Sequence, residues 1–206
     1  PEWSVFVTYG TRALYQTLGE RILQYIEGEI EESNDSEEEY KPPKNLIIGH
    51  AQVLIKNIGS RINSPYERFD SYIEDLIGNS VRLIKKIEEL KSEDKFTPFF
   101  DCVIADESQD LPDEFLKLCL LVSKNDRFIW GIDEMQQLGD IEVKTPEQIF
   151  GKDQFGISIV DLKGSYKHNI PKDLMLNIVY RTPRPILIAS HVFGLGLKRK
   201  DGAVQC

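Results

Sequence analysis

The chain has 206 residues, 41% of them hydrophobic and 10% aromatic, which suits one compact domain or one domain plus the start of another. No apolar run approaches the ~20 residues of a membrane span, no basic-then-apolar leader stands at the front, and Cys102, Cys119 and Cys206 fall in no CxxC or Cys/His spacing. Those absences argue against a helical membrane protein and indicate neither a disulfide framework nor a zinc module, so the expectation is a cytoplasmic protein with buried thiols.

The net charge of −9 would argue against a nucleic-acid partner if it were evenly spread. It is not: eight acids lie between Glu27 and Glu39 with no base among them, and 34 acids less those eight leaves 26, against 25 bases. The run contains Ser33, Asn34 and Ser36 and closes at Pro42-Pro43, so residues near 27–43 are expected to be a solvated insertion on a nearly neutral body.

In chain order, Pro1-Glu2 leads directly into an apolar run, as if the preceding part of a domain were not shown. Strands are expected at 3–8, 45–49, 101–105, 127–131 and 157–162; Val5-Phe6-Val7, Leu46-Ile47-Ile48, Val103-Ile104 and Phe128-Ile129-Trp130 are apolar without alternation, as in strands covered on both faces. Helices are expected at about 11–27, 65–92, 112–123, 171–176 and 183–195. For the second, Ser64 is read as the cap, Pro65 as the first helical residue and Glu67 as completing a capping box, with Phe69, Ile73, Leu76, Ile77, Leu83, Ile84, Ile87 and Leu90 as its core face. Strands alternating with helices predict an α/β fold, a three-layer sandwich around a mostly parallel sheet.

The chemistry concentrates in Phe99-Phe100-Asp101-Cys102-Val103-Ile104-Ala105-Asp106-Glu107-Ser108-Gln109-Asp110. An apolar strand ending in adjacent acids puts carboxylates at the carboxyl edge of a parallel sheet, where open α/β folds bind ligands. In phosphoryl transfer one such carboxylate, Asp106, would hold Mg²⁺, and the next, Glu107, would position and deprotonate the attacking water. The plainer alternative is that Asp106 or Asp110 caps the helix that Pro112 begins. A metal-dependent nuclease using Asp101, Asp106 and Glu107 would want a further acid and a lysine on a neighbouring strand, a pattern the sequence does not offer. His50, His168 and His191 are too scattered to suggest a role.

Asp106-Glu107-Ser108-Gln109-Asp110, followed by Gly131-Ile132-Asp133-Glu134-Met135-Gln136, resembles the DExQD and GDxxQ motifs of the UvrD/Rep-like superfamily 1 helicases, with Ile132 as an extra residue. Val7-Thr8-Tyr9-Gly10-Thr11-Arg12-Ala13-Leu14 is similar to that family's TFTNKAA motif, and Tyr180-Arg181-Thr182 to its NYR motif. The resemblance spans roughly residues 3 to 195 in the correct order. It implies a RecA-like fold of the P-loop NTPase type, truncated at both ends: a first ATPase lobe over 1–164 and the start of a second over 165–206. It implies ATP and Mg²⁺ as cofactors and single-stranded DNA, or RNA, as partner. By carry-over, Glu107, Gln136 and Arg181 would be catalytic, with Arg181 an arginine finger; Asp106, Gln109, Asp133 and Tyr180 would bind Mg-ATP; Thr8, Tyr9 and Arg12 would meet the nucleic acid, Tyr9 by stacking on a base. No GxxxxGK[ST] phosphate loop occurs between Pro1 and Cys206, so these residues alone are expected neither to hydrolyse ATP nor to unwind DNA. The rival from another class is a helicase-like scaffold without catalysis.

Overall fold

Four of the five expected apolar runs form strands of one sheet. A computed structural model of the chain describes residues 3–9, 45–132, 144–152, 158–176 and 183–194, together with Arg21 and Gln24, both helical. The rest of the expected helix at 11–27 and the acidic run lie outside the described residues. The strands are β1 (Val5–Tyr9), β2 (Leu46–His50), β3 (Cys102–Asp106) and β4 (Phe128–Trp130), all parallel, in the order β2-β1-β3-β4. Both β1 and β3 run one residue further than expected, which places Tyr9 and Asp106 inside the ladder as register partners.

The helices are α1 (Ala51–Arg61), α2 (Tyr72–Ser92), α3 (Asp113–Val122), α4 (Pro146–Phe150) and α5 (Arg184–Gly194). α1 was not among the expected helices. Yet its buried residues Ala51, Leu54, Ile55 and Ile58 stand at helical spacing. Gly59 is required there: a Cβ would lie 2.3 Å from the Ser64 carbonyl oxygen, where the chain folds back over the helix end. α1, α2, α3 and α4 pack successively against one another. The core holds Phe6, Leu54, Ile58, Leu76, Leu83, Ile87, Phe100, Val103, Phe115 and Leu118, and the Phe6 and Phe100 rings meet edge to face at 5.4 Å. Cys102 and Cys119 are buried free thiols, pushed up in pKa by burial; Cys206 lies outside the described residues.

The expected helix at 65–92 begins only at Tyr72. Its cap is Ser71, whose hydroxyl accepts from the Glu74 amide at 3.2 Å, not Ser64. Residues 64–69 stay extended because α2 satisfies their backbone: Asn79 accepts from Glu67 N and donates to Glu67 O (2.9 and 2.8 Å), Arg82 donates to Ser64 Oγ and the Pro65 carbonyl, and Asp75 accepts from Phe69 N at 2.6 Å. Glu67 closes no capping box and pairs instead with Arg82 at 3.3 Å. That Phe69 amide holds the Asp75 carboxyl below the usual range, while burial, helped by a 2.9 Å bond to Asp75, pushes the Tyr66 phenol up to about 12. Phe69 and Ile73, expected in the core, are 44% and 45% exposed. Ser71→Ala should therefore cost about 1 kcal/mol in urea unfolding and Ser71→Asp almost nothing; an unaffected alanine variant would return the helix start to Pro65.

The chain divides into two compact units, Pro1–Ile159 and Val160–Cys206. Of the strand expected at 157–162, the described residues 158–162 form no strand, and Ser158 makes an antiparallel bridge to Lys152. In place of a helix at 171–176, Pro171 bridges back to Ser165 around a turn in which His168 and Asn169 take φ of 68° and 58°. The molecule is thus α/β with a four-stranded parallel sheet, compatible with a RecA-like layout. No described helix is long and apolar enough to cross a membrane.

Candidate functional site

The chain leaves β1 towards β2 on one side and leaves β3, through α3, towards β4 on the other. The point where connections diverge, outside the carboxyl ends of β1 and β3, is where an open parallel sheet leaves a crevice for ligand. The residues at those ends are Tyr9 and Asp106, with His50 level on the far side of Tyr9.

The turn after β3 is built tightly. Glu107 takes left-handed backbone angles, φ 51° and ψ 46°, a region costly for a residue with a Cβ. Ser108 is buried, donates its hydroxyl to the Ala105 carbonyl at 3.1 Å and its amide to the Gly131 carbonyl at 2.8 Å, and Gly131 N returns a 2.8 Å bond to the same Ala105 oxygen. β3 and β4 therefore end level and locked together. The Glu107 amide donates to Asp106 Oδ1 at 3.0 Å, and Gln109 Nε2 donates to Glu107 Oε2 at 2.5 Å. A Cβ on Gly131 would sit 3.1 Å from Asp106 Oδ1, so the glycine leaves room for that carboxylate.

Neither acid serves as a helix cap. α3 begins after Pro112, has no side-chain cap, and carries Asp113 and Glu114 in its own first turn. Asp106 is exposed at the strand end. Asp101 is at the opposite end of β3, five residues away at about 3.3 Å each. It is occupied there: its carboxylate accepts from Ser4 N and Oγ at 3.0 and 3.2 Å and pairs with Lys124 at 3.4 Å, and the Ser4 amide chiefly holds it below the usual carboxylate range. A nuclease centre uniting Asp101 with Asp106 and Glu107 is thereby ruled out in this arrangement.

A hard cation that keeps its own waters needs only one or two carboxylates from a protein. Asp106 offers one exposed carboxylate at the strand end. Among the described residues no group of three or more His, Cys, Asp or Glu side chains comes together. No family model, curated protein or solved structure matches this chain significantly.

Of the other expected site residues, Thr8 and Tyr9 are described and both are fully buried. They belong to β1, between β2 and β3, and not to the turn after it, so the Tyr9 ring is not displayed for a base; it packs edge-on to His50 at 6.3 Å. Thr8 lies between Gly49 and Ala105, and its hydroxyl has no hydrogen-bond partner among the described residues. Arg12, Asp133, Gln136, Tyr180 and Arg181 lie outside the described residues. His50, given no role from sequence, is 7% exposed at the same sheet edge and bonded through Nε2 to the Tyr72 hydroxyl at 3.1 Å. Its signal was position: it ends its strand as Tyr9 and Asp106 end theirs. A cleft of about 460 Å³ lined by Arg68, Phe69, Asp70, Glu74, Ile77 and Gly78 includes none of the strand-end residues.

Proposed function

We propose that this chain carries the hydrolytic edge of a Mg-ATP-driven motor of the UvrD/Rep-like superfamily 1 type, of P-loop NTPase fold, that moves on single-stranded DNA or RNA. The observation that carries this reading is the placement of Asp106 and Glu107 at the divergence point of the sheet, uncommitted to capping α3, with Glu107 in a left-handed conformation. A strained non-glycine residue in a binding crevice is retained where its geometry is used.

Asp106 would hold the magnesium. When bound, Mg-ATP supplies the phosphoryl group and the metal charge that offsets the negative charge on its oxygens. Glu107 would accept the proton of the attacking water as its oxygen bonds to the γ-phosphorus and the bond to the β,γ-bridging oxygen breaks, releasing ADP and phosphate. Asp133, Gln136, Tyr180 and Arg181 would contact the nucleotide, and Arg12 the polynucleotide backbone, as the motif resemblance implies. With Tyr9 buried against His50, it does not stack on a base in this conformation.

The proposal needs a phosphate-cradling loop elsewhere in the complete polypeptide. ATP hydrolysis by that polypeptide, with and without single-stranded DNA and RNA, is the test. Stimulated turnover that falls by ~10² or more in Glu107→Gln supports the motor. A wild-type protein that turns over no ATP would instead be a helicase-like scaffold.

A further inference from the structure

We infer that Gln109 is a positioning residue for Glu107, acting through it and not as a nucleotide ligand; the inference rests on the hydrolytic role proposed for that carboxylate. The backbone of the turn is fixed from two strands: Ser108 is tied to Ala105 and Gly131, and the Asp110 amide donates to the Glu107 carbonyl at 3.0 Å. Those bonds fix where the Glu107 Cα stands. They do not fix its carboxylate, which sits at the end of a side chain with several staggered states.

The contact that does so is the amide of Gln109, which donates to Oε2 at 2.5 Å from two residues further along the same turn. Holding Oε2 leaves Oε1 as the oxygen presented to a water. The residue type fits this task. An amide donates a hydrogen bond without carrying charge, so it orients the carboxylate without forming an ion pair with it. Lysine in its place would form an ion pair with the base, a second carboxylate would repel it, and asparagine is one methylene too short. Gln109 is itself half-buried, held in the 3-10 turn Ser108–Asp110 that the left-handed Glu107 initiates. The donor is therefore carried on the same rigid element as the group it orients.

The test is steady-state ATP hydrolysis by the complete polypeptide, with thermal unfolding as a check on folding. Gln109→Met keeps length and volume but loses the donor. It should lower kcat about tenfold, in the range seen when an outer hydrogen-bond partner of a working group is removed, and leave KM for ATP unchanged. Gln109→Asn, whose amide cannot reach, should behave alike. In a Glu107→Gln background, measured with enzyme in excess over ATP, Gln109→Met should cause no further loss, because two residues acting as one unit are not additive. A rise in KM with kcat kept, or a loss that multiplies onto that of Glu107→Gln, makes Gln109 an independent ligand and overturns the inference. So does full activity of both Gln109 variants beside an impaired Glu107→Gln, which leaves the hydrolytic reading intact. Should Glu107→Gln match the wild type, that reading falls and the inference falls with it.

Discussion

Glu107→Gly is expected to cut ATP turnover in the complete polypeptide by ~10² or more while making the fold more stable than Glu107→Ala does. Both variants remove the carboxylate, so both lose the proposed general base and the bond to Gln109. They differ in the backbone. Glu107 sits at φ 51° and ψ 46°, where a Cβ crowds the carbonyl oxygen at a cost of roughly 1–2 kcal/mol. Alanine keeps that cost and glycine removes it. The greater freedom of glycine in the unfolded chain takes back about 0.4–1 kcal/mol. The glycine variant should still out-melt the alanine variant by roughly 2 °C in a domain of this size. Equal melting of the two would mean that the left-handed turn is not populated, and retained turnover in both would remove Glu107 from the chemistry.

Phe6→Ala should be the most damaging of the simple core truncations. Phe6 is fully buried on β1, an interior strand, between Ile47 and Val103 in register and edge-to-face with Phe100. Truncating such a ring typically costs about 3–5 kcal/mol through lost transfer energy and the cavity left behind, out of a total that is commonly only about 5–15 kcal/mol. Urea unfolding should show a large drop in midpoint. Ile129→Ala is the control: it is an equally apolar strand residue but 58% exposed on β4, and should cost about 0.5 kcal/mol or less. Comparable losses in the two variants would contradict the placement of the core.

The parallel sheet was legible because its strands are short unbroken apolar runs, and such runs mark strands covered by helices. The acidic pair was legible because it follows one of those runs without a gap. What could not be read were features decided by contacts distant in sequence. Nothing local distinguishes Ser64 from Ser71 as a cap; the choice is made by Asp75, Asn79 and Arg82, which bond the intervening backbone from a helix whose start was itself in question. The ends of β1 and β3 depend on pairing, and one extra residue of ladder carried Tyr9 from an expected turn into the interior, beside a Thr8 that is itself fully buried. The left-handed angle at Glu107 has no signature either, since glutamate is not a residue that turns favour. Its cause is the tie of Ser108 to two strands.

The Ser4–Asp101 contact at the amino end of β1 and β3 has a consequence for tolerance at the opposite end. Parallel strands alternate their faces residue by residue, so sliding β3 by one position would turn Asp106 to the other side of the sheet and set Ala105 or Glu107 opposite Tyr9. The reciprocal bonds between Ser4 and Asp101 act as a datum mark: they fix the zero from which the rest of the strand is counted off. The alignment of the acid that would meet the metal is thus gauged at the far end of the strand, by a serine and an aspartate that never touch the ligand.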